Sequence, residues 1–310
     1  LVGLRLVEDR LVDNAGQSLA LAATDIAQKL DLLLFEQYGD VQVLAGTVPR
    51  LGHDPRLWAA HAVFLKQAYP IYHWIGVIDS QGRVRASTDQ TTVGLDVRQS
   101  EWAAAVSADG GVYVRDAGFD AISGGIESIV FATAVQAGTG SSRLEEPRLV
   151  ATYVAMSVLK DMVARTFQGK EGYWSKVEYQ VVNGRGEVVI DSASLQKKDR
   201  VNLKTIKLPS ALLLDSGRSA YIEEQHFRRQ VPVVTGYATM NGHQELSSLR
   251  WGVLVRVDRG EVLAPIRAVI WKLAALGAVG SVPLFLALLW MERRVRNEWS
   301  HAQRTHATLE

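Results

Sequence analysis

Ile75-Gly76-Val77-Ile78-Asp79-Ser80-Gln81-Gly82-Arg83-Val84 and Tyr179-Gln180-Val181-Val182-Asn183-Gly184-Arg185-Gly186-Glu187-Val188 are two versions of one hairpin. In each, an apolar run meets an Asp or Asn, a Gly follows three residues later, and a second run begins. Asp79 and Asn183 open the turns; Gly82 and Gly186 supply the positive φ that a bulged hairpin needs. The likeness continues outward. Ser128 to Val135 and Val231 to Thr239 are β-rich runs in matching places. Arg148 to Met156 reads as a strand running into a helix at Val158 to Val163, and Trp251 to Val257 runs into one at Gly260 to Ile266. The offset is about 100 residues, which marks a duplicated domain rather than a solenoid repeat.

Composition bounds the rest. A chain of 310 residues has room for roughly two domains. Hydrophobic residues at 47% and charged residues at 22% exclude a disordered chain. A net charge of +1, from 34 Lys and Arg against 33 Asp and Glu, gives no general pull toward nucleic acid. The absence of Cys excludes disulfides, Cys-based zinc sites, iron–sulfur clusters and thiol catalysis, and it suits an exported protein. A start at Leu1 rather than Met predicts a fragment with a targeting segment upstream.

Leu273 to Met291 carries no charge, and Ala268 to Trp271 extends it with only Lys272 between. That run is long enough to cross a bilayer core of about 30 Å. Trp271 and Trp290 stand where interfacial aromatics belong. Arg293, Arg294 and Arg296 after the span favour a cytoplasmic C-terminal side, but Arg256, Arg259 and Arg267 before it leave the count undecided. Upstream of the first repeat, about Leu4 to Leu44 has a helical pattern with Ala15, Leu19, Ala22, Ile26, Leu30, Leu33, Val41 and Leu44 on one stripe, interrupted by Asn14, Ser18 and Gln37. After the span, Val295, Trp299, Ala302, His306 and Leu309 form a two-heptad seam. A solvated amphipathic helix end is the alternative there. His301 and His306 lack the Glu and Pro usual around a kinase phospho-acceptor.

A long helix, two similar α/β modules, a membrane helix and a trailing helix together resemble the double Cache (dCache) sensor region of bacterial transmembrane receptors. Two stretches carry the resemblance locally. Gly94-Leu95-Asp96-Val97-Arg98-Gln99-Ser100-Glu101-Trp102 is similar to the loop and short helix roofing a Cache pocket. Trp251 to Val257 with Glu261 to Ile266 is similar to the last strand feeding the membrane helix. The resemblance implies an α+β fold: a stalk helix over 1–48, tandem PAS-like modules with antiparallel sheets over 49–165 (membrane-distal) and 166–267 (membrane-proximal), a transmembrane helix over 268–291, and a cytoplasmic helix over 292–310. It further implies a second span upstream, a homodimer with parallel long helices, and a small ligand in the distal module. Residues 1–267 are then periplasmic or extracellular and 292–310 cytoplasmic at the bacterial inner membrane. The expected role is a signalling input without enzymatic activity of its own, needing no cofactor and no nucleic acid. A histidine kinase, diguanylate cyclase or methyl-accepting output domain would follow. The segment after the span lacks the early Pro and the length of a HAMP module. The amino-acid-binding branch of the family has Arg-x-Trp-Tyr on the roof. Here Trp102 matches, but Ser100 and Ala103 replace the Arg and the Tyr, which argues against an α-amino-acid ligand.

A pocket needs apolar walls and a few convergent polar groups. Trp102, Tyr113, Arg115, Asp116, Phe131 and Trp74 are the candidates, with Tyr72 beside Trp74. Tyr113 to Asp116 reads as a strand, so Tyr113 and Arg115 share one face and Asp116 points away. Arg115 suits a carboxylate or phosphate. The competing readings are core packing for the aromatics and a plain ion pair for Arg115 and Asp116. Tyr221 to Arg229 is dense in charge and reads as a solvated strand or loop; a carboxylate–His metal site there has no supporting motif. Gly138-Thr139-Gly140-Ser141-Ser142 reads as a hairpin loop rather than a phosphate cradle. No Gly-x-Ser-x-Gly elbow is present. Two further functions stay open: a dimerisation or periplasmic partner-binding module with no ligand, and a tethered hydrolase, for which no convergent Ser–His–Asp or two-carboxylate spacing is visible.

Overall fold

A computed structural model describes residues 2–106, 111–135, 147–192, 201–240 and 243–306. The chain forms two compact units, Leu1–Arg259 and Gly260–Glu310. The first opens with helix α1, Val2–Thr47, then α2, Pro55–Ala68, whose first turn is capped by Asp54. The first module's strands are β1 (Tyr72–Asp79), β2 (Val84–Ser87), β3 (Val112–Gly118), β4 (Ser128–Ala134) and β5 (Pro147–Ala155), with α3 (Glu101–Ala105) between β2 and β3. Helix α4, Met156–Arg165, leads to the second module. There β6 (Glu178–Val182), β7 (Val188–Asp191), α5 (Pro209–Leu213), β8 (Ala220–Gln225), β9 (Pro232–Thr239) and β10 (Gly252–Asp258) follow in turn.

The two antiparallel sheets have equivalent strand orders, β2-β1-β5-β4-β3 and β7-β6-β10-β9-β8. The α+β tandem architecture expected from the sequence is therefore present, with the repeated hairpins in equivalent places. Gly82 and Gly186 close their turns at φ 72° and 89°.

Helix α1 is the spine of this unit. Its buried positions include Ala15, Leu19, Ala23, Ile26, Leu30, Leu34, Gln37, Val41 and Ala45. Steps of four, four and three make an 11-residue repeat, which suits a nearly straight stripe along an α-helix better than a heptad does. This is why Ala23 and Leu34 are buried where the sequence pattern favoured Ala22 and Leu33, and why Gln37 lies inside. The stripe packs on both sheets. Polar staples fix its register: Tyr221 donates to Asp13 at 2.6 Å, His243 pairs with Asp31 at 2.7 Å, and Tyr72 donates to Asp40 at 2.6 Å. The first two tie α1 to the second module and the third ties it to the first. Burial, reinforced by Asp40, pushes the Tyr72 phenol well above its usual pKa.

In the second unit, α6 (Arg259–His306) is one continuous helix, and its Arg259–Arg294 stretch is long and apolar enough to cross a membrane. The heptad seam falls where side chains are not described, and Leu309 lies outside the described residues, as does the Gly138 to Ser142 loop.

Gly236 on β9 sits where a Cβ would strike the α1 backbone at Leu19 and Ala20, whereas Gly39 has open space around it. Gly236→Ala is expected to destabilise the protein by about 1–3 kcal/mol. Gly39→Ala should instead stabilise it by up to about 1 kcal/mol through helix propensity. Urea denaturation of the chain in nanodiscs, followed by far-UV circular dichroism, measures both.

Candidate functional site: the inner face of the first module

The strand period of two sorts the candidates. Trp74 and Ile78 of β1, Val130 and Ala132 of β4, and Ala151 and Tyr153 of β5 pack in one cluster with Trp102, Val97 and Ile122. Tyr113 packs against it from β3. This is the sheet face covered by α3, whose Trp102 is fully buried. Phe131 alternates with Val130 and Ala132 and therefore lies on the opposite face, buried on the α1 side. It does not join the other candidates.

Arg115 reaches the cluster from the edge strand. Its Nη1 donates to Asp120 Oδ2 at 2.6 Å, and its guanidinium lies 5.8 Å from the Tyr153 ring centre. Tyr153 donates to the same carboxylate oxygen at 2.7 Å. The other oxygen, Oδ1, accepts from the Ile122 and Ser123 amides at 3.0 and 2.9 Å. All four lone-pair directions of Asp120 are thus used. Burial, then the Asp120 charge, pushes the Tyr153 phenol upward. Trp74 and Trp102 both meet Tyr153 edge-on, at 5.2 and 6.4 Å. Trp74 Nε1 is satisfied by Thr92 at 3.0 Å. Tyr113 donates to Glu101 on α3 at 3.0 Å.

Three donors of this cluster are buried without a hydrogen bond of normal geometry: Arg115 Nε, Arg115 Nη2 and Trp102 Nε1. Arg115 Nε and Nη2 form the side-on edge of the guanidinium, the pair of parallel donors that fits a carboxylate or phosphate. Leaving a buried donor unmade costs about 1–3 kcal/mol, more for a charged group.

Asp116 points to the other side. It accepts from Trp251 Nε1 at 2.9 Å and from Asn183 Nδ2 at 3.0 Å, both in the second module. It is a contact between modules and not part of the Arg115 cluster. Asp120 and Tyr153 were not singled out in the sequence. Tyr153 was legible as the only large residue between Ala151 and Ala155 on an inward-facing register; the Asp120 pairing depends on the loop after β3 and has no sequence signal.

The second module repeats the register with different chemistry. Ala151 pairs with Gly76 and Leu254 with Gln180, so Tyr153 and Arg256 occupy equivalent places two residues on. Arg256 is buried, and burial lowers its pKa. Its Nη2 donates to Gln180 at 2.9 Å, while Nε and Nη1 are buried without a hydrogen bond. The charged stretch of β8 and after is less solvated than its sequence suggested. Glu224 is buried and accepts from Ser210 and Thr235. His226 is buried, receives the Arg228 and Arg229 amides at Nδ1 and so turns its Nε2 proton to Glu178 at 2.8 Å. Both ring nitrogens are engaged, which leaves no lone pair for a metal. A cleft of about 210 Å³ lies in this module, lined by Asn183, Lys204, Asp215 and Arg250 among others; Lys204 is already ion-paired with Asp215 at 2.6 Å.

No family model matches the sequence, and no curated protein matches it. Solved structures do. The ligand-binding domain of the Pseudomonas fluorescens chemoreceptor CtaA, in complex with L-serine, superposes with a TM-score of 0.56 at 15% identity, covering 79% of this chain and 98% of that one. The ligand-binding domain of the Pseudomonas aeruginosa PAO1 amino-acid chemoreceptor PctB, with L-Arg, gives 0.59 at 14% identity over 81% and 98%. The extracellular domain of vpHK1S-Z8, a protein assigned as a histidine kinase, gives 0.62 at 8% identity over 83% and 96%. The fold is thus that of the two-module extracytoplasmic domains of bacterial chemoreceptors and sensor kinases. The dCache resemblance drawn from the sequence holds at the level of fold.

Removing Asp120 strands a largely buried guanidinium. Asp120→Ala is expected to cost about 3–5 kcal/mol. Replacing both partners, Arg115→Met with Asp120→Leu, should recover only part of that loss, because Tyr153 and the Ile122 and Ser123 amides still lose their acceptor. Chemical denaturation of the two variants beside the parent decides it.

Proposed function

We propose that the chain is the sensing region of a transmembrane signalling receptor and that its first, membrane-distal module binds a small carboxylate. The observation that carries this reading is the buried, unpartnered side-on edge of Arg115, set among Trp74, Trp102, Tyr113 and Tyr153. A carboxylate on that edge would complete two charge-assisted hydrogen bonds, with the Trp102 indole N–H as a third donor. The aromatic walls would take the apolar body of the ligand. The roof has Ser100 and Ala103 where the amino-acid branch carries Arg and Tyr, so β3 supplies the cation instead. Asp120 is saturated and offers nothing to an α-ammonium. This favours organic acids over α-amino acids, the ligands named for CtaA and PctB.

In this reading residues 1–267 lie outside the membrane, 268–291 span it, and 292–310 begin a cytoplasmic helix. The modules are 49–165 and 166–267. The solvent-facing side of α1 carries Leu21, Leu32 and Val43, exposed by 70%, 56% and 69% and also 11 residues apart, a surface suited to a second copy of the chain. The region senses and does not catalyse.

A thermal-shift series on the chain in nanodiscs, with acetate, benzoate, succinate, L-serine and L-leucine, tests the site. A ligand at about 100 times its Kd stabilises by about 2.7 kcal/mol. Arg115→Lys and Trp102→Phe should abolish the shift of whichever acid binds, while Phe131→Leu should leave it. A shift that survives Arg115→Lys would place the ligand elsewhere. Insertion is checked separately: Gly280→Arg, mid-span, should weaken membrane integration by about 2.5–3.5 kcal/mol.

A further inference from the structure

Arg115 and Asp116 are chain neighbours on β3 that face opposite ways. Arg115 enters the aromatic cluster of the first module. Asp116 leaves it: Oδ1 takes the Trp251 indole proton at 2.9 Å and Oδ2 an Asn183 amide proton at 3.0 Å. Asn183 Oδ1 in turn accepts from the amides of Arg185 and Glu187 at 3.1 and 3.0 Å, so Asp116 is bonded onto the folded turn between β6 and β7. Arg185 Nη2 stands 3.9 Å from the same carboxylate. Trp251 is fully buried and directly precedes β10, the central strand of its sheet. The residue after β10, Arg259, opens α6.

The strand carrying both residues is an edge strand with an interrupted ladder. β3 lies at the edge and pairs with β4 alone, and its ladder is broken between Arg115 and Gly118, across Asp116 and Ala117. The far end of the connection is stiff: β10 is paired along its length with β9 and from Gly252 to Arg256 with β6. Burial raises the Asp116 carboxyl against the opposing pull of its donors. The Ala117 amide also donates to Oδ1 at 2.7 Å, and a desolvated carboxylate holds to its donors because losing one leaves a lone pair unmatched away from water.

We propose that Asp116 is a latch that couples occupancy at Arg115 to β10, and through β10 to the start of α6. The proposal rests on the ligand reading of Arg115 above. An anion drawn onto the free edge of Arg115 shifts a strand that yields at one point, and the Asp116–Trp251 bond carries that shift to a strand that does not yield. The differential contact that a ligand needs in order to bias two arrangements is thereby placed on two adjacent residues.

Hydrogen exchange by mass spectrometry on the whole chain in nanodiscs tests it, with acetate, benzoate, L-serine and L-leucine as probes. In the parent protein a probe that binds should protect residues 112–118 and 149–155, and also slow exchange in 252–258 by at least about fivefold, the low end of ordinary coupling. In Asp116→Ala, and independently in Trp251→Phe should the first variant fold poorly, the protection of 112–118 and 149–155 should persist and that of 252–258 should vanish. Protection of 252–258 that survives both substitutions overturns the latch. If no probe protects the first module, the ligand reading fails on its own. The latch is then read from Arg115→Gln, which disturbs β3 from the inner side. Altered exchange in 252–258 that disappears when Arg115→Gln is made in the Asp116→Ala background supports it, and unaltered exchange in Arg115→Gln overturns it.

Discussion

One helix face holds two sheets. The stripe of α1 runs under both modules in an 11-residue repeat, and three carboxylates along it, Asp13, Asp31 and Asp40, are bonded to Tyr221, His243 and Tyr72. An apolar stripe alone tolerates sliding by a turn; a carboxylate matched to a donor on the facing module does not. The absence of a Cβ at Gly236 lets β9 lie against the α1 backbone itself. Register between the modules is therefore set by the helix they share, and the contact at Asp116 depends on that register.

Duplication has produced two modules of one topology and unlike interiors. In the first, a guanidinium at the sheet edge keeps its two-donor side open while a saturated aspartate balances its charge. In the second, the guanidinium lies on the central strand with Nη2 bonded to Gln180. Arg256 is almost fully buried on a central strand, whereas Arg115 is partly exposed on an edge strand and is the more accessible of the two to a planar anion. The difference in function proposed for the modules follows from where in its sheet each guanidinium sits.

Much of this was legible beforehand. The hairpins at Asp79 and Asn183, the strands leading into helices and the apolar run from Leu273 declare themselves because turn chemistry, strand period and span length are local properties. Alternation along β3 put Tyr113 with Arg115 and set Asp116 apart. The same alternation places Phe131 on the far face, but only once Val130 is known to point inward. The α1 stripe was read one residue out at Ala23 and Leu34, since seven- and eleven-residue repeats diverge by only one position over that distance.

The sequence by itself determined the architecture: duplicated antiparallel modules, a long leading helix and an apolar closing one. These follow from periodicities that a single strand or helix carries within itself. Tertiary structure alone decided the chemistry. Whether Arg115 is free or paired depends on Asp120 and Tyr153, which approach it from a loop and from a strand two places across the sheet. Whether Asp116 serves a ligand or a neighbouring module depends on Trp251, 135 residues away along the chain. Hydrogen-bond saturation is a property of the assembled site, and no local pattern encodes it.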